Sequence, residues 1–195
     1  MLLSFPDCEP LPGAERILSN LSCARGESGA KIELALASST KTHTYKLKSS
    51  KLRNQKLLNF FQADRRVLGD DRRVQQGRGK PAPDIYLAAL QSINSSLDSA
   101  DSVENSIKPN ECLVLEDSIA GVEAGRRAGM RVVWIPHPDL AVEYQSTQKD
   151  VLAGRTGRFE IGDDWQLGAI DDGWAESIAS LEHFDYKKYG VQVAS

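Results

Sequence analysis

An apolar run, Cys112-Leu113-Val114-Leu115, ends in two adjacent carboxylates, Glu116 and Asp117, and passes at once into Ser118-Ile119-Ala120-Gly121-Val122-Glu123-Ala124-Gly125. If the run is a strand of a parallel sheet, both acids stand at its carboxyl end, where such sheets bind ligands. Two acids side by side repel each other unless a cation sits between or beside them. Oxygen-only ligands suit Mg²⁺, which keeps waters and takes one or two carboxylates plus a substrate phosphate. The alternative is that Asp117 or Ser118 is simply the N-cap of the next helix, with Glu116 solvated.

A second group is Gly77-Arg78-Gly79-Lys80-Pro81-Ala82-Pro83-Asp84. A lysine between glycine and a proline-rigid turn, just ahead of a helix start, is a good partner for a phosphate or carboxylate. The alternative is an ordinary solvated loop lysine. A third group is Ser38-Ser39-Thr40 at the end of an apolar segment. Hydroxyls and backbone N–H groups there can hold a phosphoryl oxygen, or a hydroxyl can cap the following helix.

Helices and strands in alternation must position these groups, which predicts an α/β layer fold. Apolar residues at 14, 17, 18 and 21 predict a helix after Pro12-Gly13. Ile32–Ala37 reads as a strand, and Thr42 to Phe61 as a polar helical segment. Val67-Leu68 reads as a very short strand closed by Gly69-Asp70-Asp71. Pro83–Ile93 is predicted as a helix with proline in its first turn. Cys112–Leu115 is predicted as a strand covered on both faces, Ser118–Ala128 as a helix with Gly129 past its end, and Arg131–Ile135 as a further strand. A polar, serine-rich stretch at 95–110 reads as a surface insertion. From 136 to 195 the pattern weakens, apart from a predicted helix near Trp174–Leu181.

Lys+Arg is 24 against Asp+Glu 27, a net charge of −3, so nothing global points to nucleic acid or an anionic membrane. No apolar run approaches the ~18 residues of a membrane span. The opening Met1-Leu2-Leu3-Ser4-Phe5-Pro6-Asp7 lacks a basic region and does not read as a signal peptide. Three widely spaced cysteines, Cys8, Cys23 and Cys112, argue against a disulfide framework or zinc site and for a reducing, cytoplasmic setting. The doublets Arg65-Arg66, Arg72-Arg73 and Arg126-Arg127 read as solvated surface arginines. His43, His137 and His183 are isolated, with no metal-ligand spacing. Trp134 reads as core. Trp165 and Trp174 are expected to pack on the core, and Asp163-Asp164 and Asp171-Asp172 to form a solvated acidic loop.

In order and spacing, the strand-end serine, the Lys80-Pro81-Ala82-Pro83-Asp84 loop and the Glu116-Asp117-Ser118 turn with Gly121-Val122-Glu123-Ala124-Gly125 resemble the haloacid dehalogenase-like superfamily. Within it the chain is similar to the pseudouridine 5′-monophosphatase and phosphoglucomutase-like groups. Leu11-Pro12-Gly13-Ala14-Glu15, Leu36-Ala37-Ser38-Ser39 and Leu68-Gly69-Asp70-Asp71 carry the same likeness, which covers about residues 10–140. The resemblance implies a mainly parallel, Rossmann-like three-layer sandwich as one core domain over 1–195. It implies that Ser38 and Ser39 bind a phosphoryl group, that Lys80 neutralises it and orients a nucleophile, and that Glu116 and Asp117 hold Mg²⁺. The implied reaction is hydrolysis of a small phosphorylated metabolite, a sugar or nucleoside monophosphate, by a cytoplasmic monomer. A phosphoglucomutase-like isomerase and a non-catalytic protein that binds a phosphorylated ligand or a partner chain are the alternatives.

The sequence departs from that family in one respect. The family's nucleophile and its acid/base partner come from an Asp-x-Asp motif on a first, central strand, between the strand ending at Ser38 and the one ending at Glu116. This chain has no Asp-x-Asp. The expectation is therefore an incomplete core, without that strand and without the helical cap, and inactive alone.

Overall fold

The computed structural model describes residues 9–97, 106–157 and 168–193. The middle of the expected insertion, Trp165 and Asp163-Asp164 lie outside them. The chain falls into two compact units, Met1–Asp70 with Ser180–Ser195, and Asp71–Ala179.

In the first unit, α1 (Ala14–Cys23) buries Ile17 and Leu21, one turn apart on one face. It starts at Gly13, whose φ of 84° and approach to Glu182 leave no room for a side chain; a Cβ there would stand 2.7 Å from the Glu182 nitrogen. The returning C-terminal segment closes this unit: β1 (Arg25–Gly26) pairs antiparallel with β7 (Val191–Gln192). The strands β2 (Leu36–Ser38) and β3 (Arg66–Leu68) run parallel, in register Leu36 with Arg66 and Ser38 with Leu68. The helices α2 (Thr42–Lys48) and α3 (Leu52–Leu58) link them, as the helical reading of 42–61 anticipated. The strand expected at Ile32–Ala37 is shorter and displaced toward its end. β3 offers only three residues, and a ladder is no longer than its shorter member.

The second unit opens with α4 (Asp84–Leu97), which buries Ile85, Tyr86, Ala88, Ala89, Leu90 and Ile93. There follow β4 (Leu113–Glu116), α5 (Ile119–Arg127), β5 (Arg131–Trp134), α6 (Pro138–Glu143), α7 (Gln148–Ala153) and β6 (Ala175–Ser177). The strands form a parallel sheet in the order β4-β5-β6. β5 lies at its centre with Val132, Val133 and Trp134 fully buried, the both-face burial that an uninterrupted apolar strand needs. Gly125 lets α5 sit directly on the sheet; a Cβ there would stand 2.8 Å from a methyl of Val132.

Trp174–Leu181 is not a helix. The open edge of β5 captures Ala175–Ser177 as a strand, through Val132 N–H to Trp174 O at 2.9 Å and Ile178 N–H to Trp134 O at 2.9 Å. Three residues are too few to show a period. The arginines 65, 126 and 127 are not solvated: they are 5%, 6% and 3% exposed. Each is paired, Arg65 with Glu33, Arg126 with Asp172 and Arg127 with Glu123. A buried guanidinium is tolerated because a carboxylate travels with it. Asp171 and Asp172 are exposed, as the reading of a solvated acidic loop anticipated, and Asp171 lies 2.6 Å from the equally exposed Lys149. Trp174 packs under the Arg131 guanidinium at 5.2 Å. Among the described residues, no helix is long and apolar enough to cross a membrane.

Candidate functional site

β4 delivers Glu116 to its carboxyl end, where the Glu116 carbonyl accepts the Ile135 N–H at 2.7 Å. The chain then turns. The indole N–H of the buried Trp134 donates to the Asp117 carbonyl at 3.1 Å and pins the turn to β5. Ser118 is the N-cap of α5, its hydroxyl accepting from the Gly121 N–H at 3.1 Å. The same hydroxyl donates to Glu116 Oε2 at 3.0 Å, and the Ser118 N–H reaches that oxygen at 3.2 Å. Glu116 is therefore not a solvated neighbour of a cap. It is folded back onto the helix start, 8% exposed.

Gly121 makes this possible. A Cβ at 121 would lie 2.0 Å from the Glu116 carboxyl carbon, so the carboxylate occupies the space a side chain would take. The glycine belongs to the Gly-Val-x-Ala-Gly pattern, but its reason is visible only in three dimensions.

The other Glu116 oxygen, Oε1, takes the Lys80 ammonium and the Tyr86 hydroxyl, the latter at 2.6 Å. Lys80 also lies over the Tyr86 ring, 4.8 Å from its centre. Lys80 arrives from a turn closed by Ala82 N–H to Gly79 O at 2.9 Å. Pro81, Ala82 and Pro83 are buried behind it, and Arg78 bonds Asp84 at 2.8 Å across the start of α4. The lysine is thus held by a rigid loop and its side chain is 8% exposed.

Burial alone would raise the Glu116 carboxyl. The charge of Lys80 and the hydrogen bonds from Lys80, Tyr86 and Ser118 outweigh it and hold Glu116 below the usual carboxylate range. Asp117 reaches solvent. Partial burial of its carboxyl, and then the neighbouring negative charge of Glu116, raise it above the ordinary value. The Tyr86 hydroxyl is pushed well above its own value by burial and by Glu116. It is a fixed donor at neutral pH.

Ser38 ends β2 in the first unit. Its hydroxyl accepts the Thr40 N–H at 3.2 Å, making a tight turn with Ser39 exposed at its tip. None of the three hydroxyls of the Ser38-Ser39-Thr40 run caps α2. Asp70 does so from the end of β3, accepting both the N–H and the hydroxyl of Thr42 at 2.9 Å. Gly69 brings Asp70 there, because a Cβ at 69 would stand 2.2 Å from the Ser39 carbonyl oxygen. The signal for this was the Leu68-Gly69-Asp70-Asp71 block closing a short strand.

Three of the residues singled out in the sequence, Lys80, Glu116 and Asp117, are thus assembled within the second unit, and Ser38 and Ser39 belong to the first. Tyr86 joins the cluster unannounced. Among the described residues no group of three or more His, Cys, Asp and Glu side chains is arranged to hold a metal. Asp117 fits a divalent cation: it reaches solvent, and its carboxylate is at a disadvantage that a cation would relieve. Both oxygens of Glu116 already carry donors, so it fits behind Asp117 rather than as an open ligand.

A sequence model described as haloacid dehalogenase-like hydrolase matches residues 4–129. A probable pseudouridine-5′-phosphatase of Saccharomyces cerevisiae is 32% identical over 189 residues, 97% of this chain and 65% of the relative. The (DL)-glycerol-3-phosphatase 2 of Arabidopsis thaliana is 32% identical over 168 residues, 86% of this chain and 60% of the relative. The chain therefore spans less than two thirds of either relative. Among solved structures, a family IA, variant 3 HAD hydrolase of Entamoeba histolytica superimposes with a TM-score of 0.59 at 17% identity, over 96% of this chain and 63% of that one. That likeness is one of fold.

Proposed function

The chain belongs to the haloacid dehalogenase-like hydrolases, and on that premise we propose that the Lys80, Glu116 and Asp117 cluster binds the phosphoryl group of a small phosphorylated metabolite, with Mg²⁺, as part of a phosphomonoester hydrolase. The observation that carries the reading is a lysine ammonium held on a buried glutamate, beside an acid that reaches solvent, at the carboxyl end of a parallel strand. Phosphoryl transfer needs positioning and charge stabilisation above all, and these are the groups for it. Lys80 would meet the phosphoryl oxygens. Asp117, with Glu116 behind it, would hold the Mg²⁺, whose charge would neutralise those oxygens further. Ser38 and Ser39 enter the proposal as phosphoryl binders on the family resemblance alone. The relatives act, by their names, on pseudouridine 5′-phosphate and glycerol 3-phosphate, which makes a nucleoside monophosphate or a small polyol or sugar phosphate the proposed ligand. A net charge of −3 accords with a metabolite rather than a nucleic acid or membrane as the partner, and a reduced, cytoplasmic setting is part of the same proposal.

One observation favours a second reading for these 195 residues taken alone, binding without turnover. The sequence has no Asp-x-Asp, the motif from which the family draws its nucleophile. Calorimetric titration with inorganic phosphate in the presence of Mg²⁺ tests the site itself. Binding that is lost in Lys80→Ala is expected, and equal binding by both proteins would place the phosphate elsewhere. Ser38→Ala in the same titration tests the serine.

A further inference from the structure

Glu116 Oε1 accepts from two donors, Lys80 and Tyr86, while Oε2 is satisfied separately by the N–H and hydroxyl of Ser118. Lys80 cannot give its full charge to a phosphate while it remains on that oxygen. When it leaves, a buried carboxylate loses its cation, and a buried charge without partners is costly. Tyr86 is placed to limit that cost. Its hydroxyl is 2.6 Å from Oε1, its side chain is anchored in α4, and it is 7% exposed. Its ring also faces Lys80 at 4.8 Å, so the ammonium can move without leaving the ring face.

We infer that Tyr86 is a positioning residue of this site, holding Glu116 in place by its hydroxyl so that Lys80 can transfer from Glu116 to a phosphoryl group. The inference rests on the proposed phosphate-binding role of Lys80 and adds a residue to it. Removing the hydroxyl leaves Lys80 and Ser118 as the remaining donors to Glu116. The lysine is then held more tightly and is less available.

The test is Tyr86→Phe, which keeps the ring, its packing and its contact with Lys80. Inorganic phosphate with Mg²⁺ is the probe, titrated against wild type, Tyr86→Phe and Lys80→Ala. A second readout needs no ligand: the rate at which an amine-directed label modifies Lys80 at fixed pH, followed by mass spectrometry. Phosphate affinity is expected to fall about tenfold in Tyr86→Phe, the scale of a hydrogen bond to a charged group. The labelling of Lys80 is expected to slow, whatever the lost hydrogen bond costs in melting temperature. A merely structural role would lower the melting temperature and leave Lys80 labelling at its wild-type rate or faster. If Lys80→Ala abolishes phosphate binding while Tyr86→Phe matches wild type in affinity and labelling, the inference about Tyr86 is overturned and the site stands. If wild type binds no phosphate, the functional reading fails, and the labelling rate alone decides whether Tyr86 governs Lys80.

Discussion

In the cluster of Lys80, Glu116 and Asp117 the two adjacent acids have different surroundings. The three residues were legible in the sequence; that distribution of charge was not. Sequence shows two equivalent carboxylates side by side. In the structure one is folded inward onto Lys80, Tyr86 and Ser118, and the other reaches solvent. Tyr86 was hidden because a tyrosine on the apolar face of a helix reads as core, and the burial of Arg126 because its partner lies 46 positions away at Asp172; Arg127 pairs with Glu123 one turn back on the same helix, a spacing the sequence does carry. A pH dependence follows for Glu116. Its carboxyl lies below the unfolded value of about 4.3, so its contribution to stability is present above that pH and is lost as pH falls through the folded value. Glu116→Gln removes the charge that Lys80 needs and is expected to cost about 3 kcal/mol or more at neutral pH. That difference from wild type should shrink as the pH is lowered below about 4. Urea midpoints at neutral and acidic pH check it; a constant difference would detach Glu116 from Lys80. Asp117 has the opposite sign. Its raised carboxyl must lose a proton to hold a cation, so Mg²⁺ affinity should rise as pH climbs through the titration of Asp117 and should be weakest in Asp117→Asn. Tight binding by the asparagine variant would move the metal site elsewhere.

At the scale of elements, a long apolar run or a clear helical period survived translation into structure, and short edge segments did not. α1, α4, β4, α5 and β5 stand within a few residues of their expected bounds. β2 and β6 are three residues each and owe their form to the neighbours they pair with, information the local sequence does not hold. The junction of β4 and α5 shows how closely an element's packing is tied to the site. Gly121 is required by the Glu116 carboxylate, not by its backbone angles. Gly121→Ala should therefore destabilise the second unit by about 1–3 kcal/mol through steric conflict, even though alanine favours a helix by up to about 1 kcal/mol. In a Glu116→Ala background the conflict has gone, and the same substitution should become neutral or stabilising. A double-mutant cycle by chemical denaturation measures the difference. Equal cost in both backgrounds would mean that Gly121 serves the helix and not the glutamate. On the far side of α5, Glu123→Ala leaves Arg127 buried without its carboxylate and should cost about 3–5 kcal/mol.

Over the whole molecule, the α/β class and the parallel strands were legible, while the division into two units was not, because residues 180–193 return to α1 and β1 from the far end of the chain. The purified 195-residue chain should release no phosphate above background from pseudouridine 5′-phosphate, glycerol 3-phosphate, sugar phosphates or an aryl phosphate, with Mg²⁺ present. Lys80 and a cation at Asp117 stabilise charge only once something attacks phosphorus. Glu116 is poorly suited to attack, since both of its oxygens carry donors. Asp84 is tied to Arg78, and Asp117 would lend its oxygens to the cation. Residues that act as one unit fail together when one is absent, so binding should persist where turnover does not. Phosphate binding together with background hydrolysis is the expected pair of results. Turnover that disappears in Lys80→Ala would instead show that a side chain outside the Asp-x-Asp pattern supplies the nucleophile. Asp117→Asn would then be the first variant to assay, because Asp117 is exposed, whereas Glu116 is buried and Asp84 is half-buried.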